Sequence, residues 1–362
     1  MKKLLMCLVL AALLLTPALA SEEDPAALFG ADQVERNLPQ EAAELMGDRD
    51  VTDPSGFSGS LRGILSGAVE QSGGALRQGV ALCSQILAVV LLSALLRGLG
   101  SGLGEQAMAL AGVLAIGALC LGRVSGCFTQ AARTVDAMTT FAGFLYPALG
   151  AATAATGAVG TSTALCGVTV AVCGVMAQVV ERLFLPGISC YMALMVGNSA
   201  LGDDSLKLGA DTLKQLMTTA MKLCVLAFTA YLSLSGVISG SADSAAVKAA
   251  KLTISSTVPV VGSMIADASE TLLVSAGLLR SGVGIFGLLG VLAVSVVPFL
   301  ETGCQYLLLK CTAAMAGIAG EKQLSGLIGG MAGALGLLTA LTGVCTMILM
   351  IGCVCFMKAA SP

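Results

Sequence analysis

Asp267 and Glu270 stand three positions apart, so on a helix both carboxylates lie on one face, one turn from each other. At bilayer depth such a pair can line a route for a proton or small cation, because a buried charge costs about 3 kcal/mol and normally faces protein or water. A solvated loop end ahead of Arg280 is the plainer alternative for the same two residues. Just upstream, Pro259 and Gly262 form a Pro-x-x-Gly step that recurs as Pro147 and Gly150. Each proline removes a backbone donor and frees carbonyls in the preceding turn. Lipid cannot satisfy those groups, so both breaks are expected at a seam within the protein, beside Asp267 and Glu270. The other ionisable residues in or near apolar segments are Asp136, Glu181, Lys222 and Glu301. Lys222 is placed to snorkel to the headgroups, and Glu181-Arg182 ahead of Leu183-Phe184-Leu185-Pro186-Gly187 reads as a loop.

Much other chemistry is excluded by residue type. The chain has no histidine, which removes the imidazole base, the histidine-paired nucleophiles and every histidine-containing zinc site. Thirteen cysteines remain, without a Cys-x-x-Cys pair, and nearly all lie in or beside apolar segments. There they read as small packing residues. Cys353 and Cys355, with one residue between them, make a poor metal clamp. No phosphate-binding glycine loop precedes a Lys-Ser/Thr pair, so an ATPase motor would be a separate chain. The expectation is a protein that is not an enzyme, holds no cofactor or metal, and has no nucleic acid among its partners.

The elements that must position these residues are set by composition. Of 362 residues 56% are hydrophobic and 11% charged, with a mean hydropathy of +0.91. Soluble domains carry about a quarter charged residues, so the expected solvent is the lipid bilayer. The 45 glycines fit close helix contacts in such a setting. Tryptophan, which usually marks the membrane interface, is absent.

Lys2 and Lys3, a short apolar run and Ala18-Leu19-Ala20 have the layout of a cleavable signal peptide over residues 1–20. An exported acidic arm is expected over residues 21–79. Between Ser21 and Ser55 it has ten acids against two bases, a net charge of −8. Val34, Leu38, Leu45 and Met46 give it enough apolar surface to fold against a partner. Phe57, Leu61, Ile64, Leu65, Ala68, Val69 and Leu76 then recur at helical spacing, as in an amphipathic helix along a membrane or another protein.

The remainder predicts an all-α, polytopic helical membrane protein of about eight spans with proline-broken elements. Two first spans fall in residues 80–132, with Arg97 on the cytoplasmic side by the positive-inside preference. Two half-bundles follow, over residues 133–245 and 246–362, with faint internal repetition. Besides the two Pro-x-x-Gly steps, Tyr191 and Tyr306, Gly202 and Gly320, and Gly236 and Gly352 recur at nearly constant offset. A true repeat would give two pseudo-symmetric halves, as in many transporters.

One block is more specific than these patterns. Lys248-Ala-Ala-Lys251, running on through Pro259-Val-Val-Gly262 to Asp267 and Glu270, resembles the stage III sporulation protein AE family of endospore-forming bacteria. Phe144-Leu-Tyr-Pro147, Glu181-Arg-Leu-Phe-Leu-Pro186 and Val297-Pro298-Phe-Leu-Glu301 extend the likeness over nearly the whole chain. The departures are the lack of tryptophan and the absence of an aromatic near Met221-Lys222-Leu223-Cys224. The resemblance implies a multipass subunit in the mother-cell membrane around the forespore, working with other stage III A sporulation membrane proteins and a forespore-side channel partner. The expected role is in a secretion channel that sustains late forespore gene expression. The alternative, read from the residues, is a secondary transporter acting alone through Asp267 and Glu270.

Overall fold

The computed structural model describes residues 31–47, 57–98, 105–155, 159–257 and 262–358. Within them the chain is helical, with no strand. The expected signal peptide and Pro259 lie outside the described residues, as do the side chains of residues 232–280.

Two short helices come first, α1 (Ala31–Arg36) and α2 (Gln40–Met46), followed by α3 (Phe57–Gly98) and α4 (Glu105–Ala155). Helix α5 (Val159–Val179) passes through a π-helical turn, Val180–Phe184, into α6 (Leu185–Leu201). Then come α7 (Asp204–Thr257), α8 (Gly262–Ile318) and α9 (Lys322–Lys358).

Four helical stretches are long and apolar enough to cross a membrane: Phe57–Gly98, Cys166–Leu201, Ser281–Ile318 and Lys322–Met357. The bent pair Leu110–Cys120 and Gly122–Ala155, which meet at 41°, makes a fifth if taken as one span. The expectation of about eight spans is therefore not met among the described residues, and the reason is physical. Charged positions that fall between apolar runs lie inside helices: Arg123 to Asp136 within α4, past its bend, Glu181-Arg182 in the π turn, and Glu301 within α8. Apolar runs on either side of each belong to one helix.

The π turn has a local cause. Pro186 has no N–H to give, and its ring clashes with the carbonyl four residues back in a regular helix. The turn ahead of it widens, and the Leu185 N–H donates to the Val180 carbonyl, five residues back. The predicted loop is thus a passage between two collinear stretches, with Glu181 and Arg182 exposed on its outer side.

At the centre of the bundle, α8 and α9 form a hairpin; α8 leans on α3 and α4, and α9 on α4, α6 and α7. Glycines on α9 receive large side chains: Tyr191 of α6 over Gly333, Tyr306 of α8 over Gly336, and Tyr146 of α4 over Gly352. Tyr146 is fully buried, stacks on Phe356 at 5.6 Å and donates its hydroxyl to the Leu349 carbonyl at 2.8 Å. Several threonine hydroxyls are satisfied inside their own helix. Thr153, Thr302 and Thr312 each donate to the carbonyl four residues back.

The helix ends collect at two poles. At one, Arg97 at the end of α3 pairs with Glu321 in the α8–α9 turn at 2.9 Å, and Gln323 donates to the Ser199 carbonyl near the end of α6 at 2.6 Å. Both turns at this pole contain a glycine in the left-handed region, Gly202 with φ 70° and Gly320 with φ 84°. A side chain is disfavoured there, which explains glycine at both positions. At the other pole Met357 of α9 and Leu149 of α4 meet at Gly284 of α8.

Candidate functional site

The polar residues that converge lie on the side of the bundle where the acidic arm docks. Val34 of α1 and Ala42 and Met46 of α2 are buried. Leu38, between the two helices, closes with Phe141 over Gly290 of α8, and Leu45 packs over Gly67 of α3. The apolar residues noted in the arm therefore do fold against a surface, and that surface belongs to their own chain. Helix α3 carries out part of its sequence expectation. Ile64, Ala68 and Ser72 are buried and Leu61 half-buried, while Leu65, Val69 and Leu76 remain exposed beside them.

Behind the arm, α4 presents Arg123, Cys127 and Gln130 at intervals of four and three, one face of a helix. Opposite them α8 presents Glu301 and Gln305, one turn apart. The Cys127 thiol donates to Gln305 Oε1 at 3.1 Å, and the Gln130 amide donates to the Glu301 carboxylate. Arg123 reaches across to α3, donating to Gln78 Oε1 and to the Ala75 carbonyl. The result is a polar seam joining α3, α4 and α8 at mid-length.

The seam opens into a cleft of about 1090 Å³. Its floor is apolar, from Ala293, Val294, Val297 and Pro298 of α8. Its walls are polar: Glu41 and Glu44 of α2, Gln71 of α3, Gln130 and Arg133 of α4, and Glu301 of α8. Two adjoining hollows of about 380 Å³ each share residues with it, one along Glu44, Leu45 and Gln71, the other along Gln130 and Glu301. Among the described residues no three Cys, Asp or Glu side chains are grouped to hold a metal ion.

The residues singled out in the sequence are placed differently. Pro147 is exposed on α4 and remains inside the helix. Gly150, one turn on, is buried against Cys166 and Ser162, and the Ser162 hydroxyl donates to its carbonyl. Gly262 is the first residue of α8, and Asp267 and Glu270 follow on that helix one turn apart, their side chains lying outside the described residues. Pro259 is likewise outside. Asp136, Glu181 and Lys222 are exposed. Of the ionisable residues noted in apolar surroundings, Glu301 is the one that lines the cleft. Its partners were missed, although the spacing of Arg123, Cys127 and Gln130 against Glu301 and Gln305 was a legible signal for two facing polar stripes.

Neither the curated proteins nor the solved structures contain a significant match to this chain. A family model does match, that of stage III sporulation protein AE, over residues 52–360. The match takes in α3 to α9, and with them three of the four helices that wall the cleft. With the helical bundle in view and the match running from residue 52 to residue 360, the chain belongs to the stage III sporulation protein AE family.

Proposed function

We propose that this protein is a non-enzymatic, multipass membrane subunit of the stage III A complex, the channel between mother cell and forespore required for endospore development. The observation that carries the proposal is family membership over nearly the whole chain. Two features support it. The bundle has several helices fit to cross a bilayer, and its polar surface is drawn together in a cleft beside the arm, as suits a subunit that meets other proteins at the membrane. In this reading the mother-cell membrane around the forespore holds the bundle, the arm lies on the exported side, and any ATPase is a separate chain. The partners are the other stage III A membrane proteins and a forespore-side channel component.

The test is affinity purification of the tagged full-length protein from membranes of sporulating cells. The expected result is recovery of other stage III A proteins in proportion to the bait. Recovery of the bait alone, under detergents that keep it folded, would contradict the proposal.

A further inference from the structure

The cleft behind the arm has an apolar floor and unbalanced walls. Glu41, Glu44 and Glu301 face it against a single base, Arg133. Of the adjoining hollows, the one along α2 and α3 adds Glu70, and the other adds Arg123, whose guanidinium is engaged by Gln78 and the Ala75 carbonyl. Glu301 is engaged by Gln130. Glu41, Glu44 and Arg133 make no ion pair or side-chain hydrogen bond among the described residues. Three carboxylates against one guanidinium leave the cavity electronegative, which favours a cationic occupant and disfavours an anionic one. The volume, about 1090 Å³, lies just beyond what small-molecule pockets offer. Its apolar floor suits the side chains of a peptide.

We propose that the cleft between α2, α3, α4 and α8 receives a lysine- or arginine-bearing, partly apolar segment of another protein of the membrane assembly. The inference rests on the channel-subunit reading for the identity of that protein, while the charge and shape of the cleft decide the chemistry of the segment. Apolar side chains of the segment cover Val294, Val297 and Pro298, and its basic groups meet Glu41 and Glu44 at the rim. Those two residues lie on a short helix that ends at Gly47, in the left-handed region with φ 65°. The arm thereby supplies one wall of the cleft as well as part of its charge.

The experiment uses the full-length protein in detergent and measures fluorescence anisotropy of a short labelled peptide alternating lysine and leucine, at low salt. Glu41 and Glu44 are exposed, so Glu41→Gln/Glu44→Gln is compatible with folding, and circular dichroism checks that it has folded. The expected result is that the double variant weakens binding by roughly five- to tenfold, about the worth of two exposed ion pairs. Arg133→Gln is expected to bind as tightly as the unaltered protein or more tightly, and a glutamate-leucine peptide more weakly than the lysine one. Equal affinity in the double variant, or equal binding of the glutamate peptide, would overturn the inference; so would binding lost in Arg133→Gln but kept in the double variant, which would point to an anionic lipid or peptide. Co-purification of the stage III A proteins with the unaltered protein is read separately. If it holds while peptide binding ignores Glu41 and Glu44, this inference alone fails; if it is absent, the channel-subunit reading fails whatever the peptide does.

Discussion

Glu321 has 1% of its side chain exposed, and Arg97 meets it from the end of α3 at 2.9 Å. A carboxylate so placed needs a partner, because removing one member of a buried pair leaves an uncompensated charge. Arg97 is about a third exposed, which moderates the effect. Arg97→Met is expected to lower stability by about 2 kcal/mol, and Arg97→Met/Glu321→Gln by less, since the second change removes the stranded charge. Thermal unfolding of the two variants in one detergent checks this, and a double variant less stable than the single would refute it. At this scale the sequence was partly legible. Glu301 stood out as an ionisable residue among apolar ones, and it does line the cleft. Glu321 did not, because it follows a glycine in what reads as a turn, and burial of a turn residue depends on a helix end more than two hundred positions away. Asp267 and Glu270 were legible as a pair on one helical turn, and they stand one turn apart on α8.

Helices were easy to foresee in kind and hard to foresee in extent. Apolar composition and glycine content already required packed helices, but charge was read as punctuation. Glu181-Arg182 reads as a loop in the sequence, whereas a helix carries charged residues through where they stay exposed, as Asp136 and Glu181 do, or where a polar cleft receives them. Glu301 does this inside α8, against Gln130. Pro186 acts differently again, since widening one turn accommodates the ring without ending the helix. Glycine was the better punctuation. Gly202 and Gly320, paired in the sequence by their spacing, both close helix hairpins in the left-handed conformation. The Gln323 to Ser199 hydrogen bond ties those hairpin ends together. Small epitope tags inserted at Asp203 and directly after Gly320 are therefore expected to be labelled from the same side of the membrane. Labelling from opposite faces would show that the two turns do not share a pole.

Over the whole molecule, the four stretches fit to cross a membrane are longer than a bilayer needs. The stretch Ser281–Ile318 has 38 residues, about 57 Å at 1.5 Å per residue, against a hydrocarbon core of about 30 Å. Such stretches must tilt or extend beyond the lipid, and the arm folds over the cleft. Composition foretold the solvent, and the arm's apolar residues foretold that it would dock; where it docks required the bundle. The proposed role of this bundle is that of a subunit of the stage III A channel in endospore development. Its most direct measurement is late forespore transcription, read from a forespore reporter in cells that lack this chain and in cells complemented with it. The expected result is that engulfment proceeds, that the reporter falls to near background without the chain, and that the unaltered protein restores it. Full reporter activity and normal spore yield in the deletion strain would contradict it.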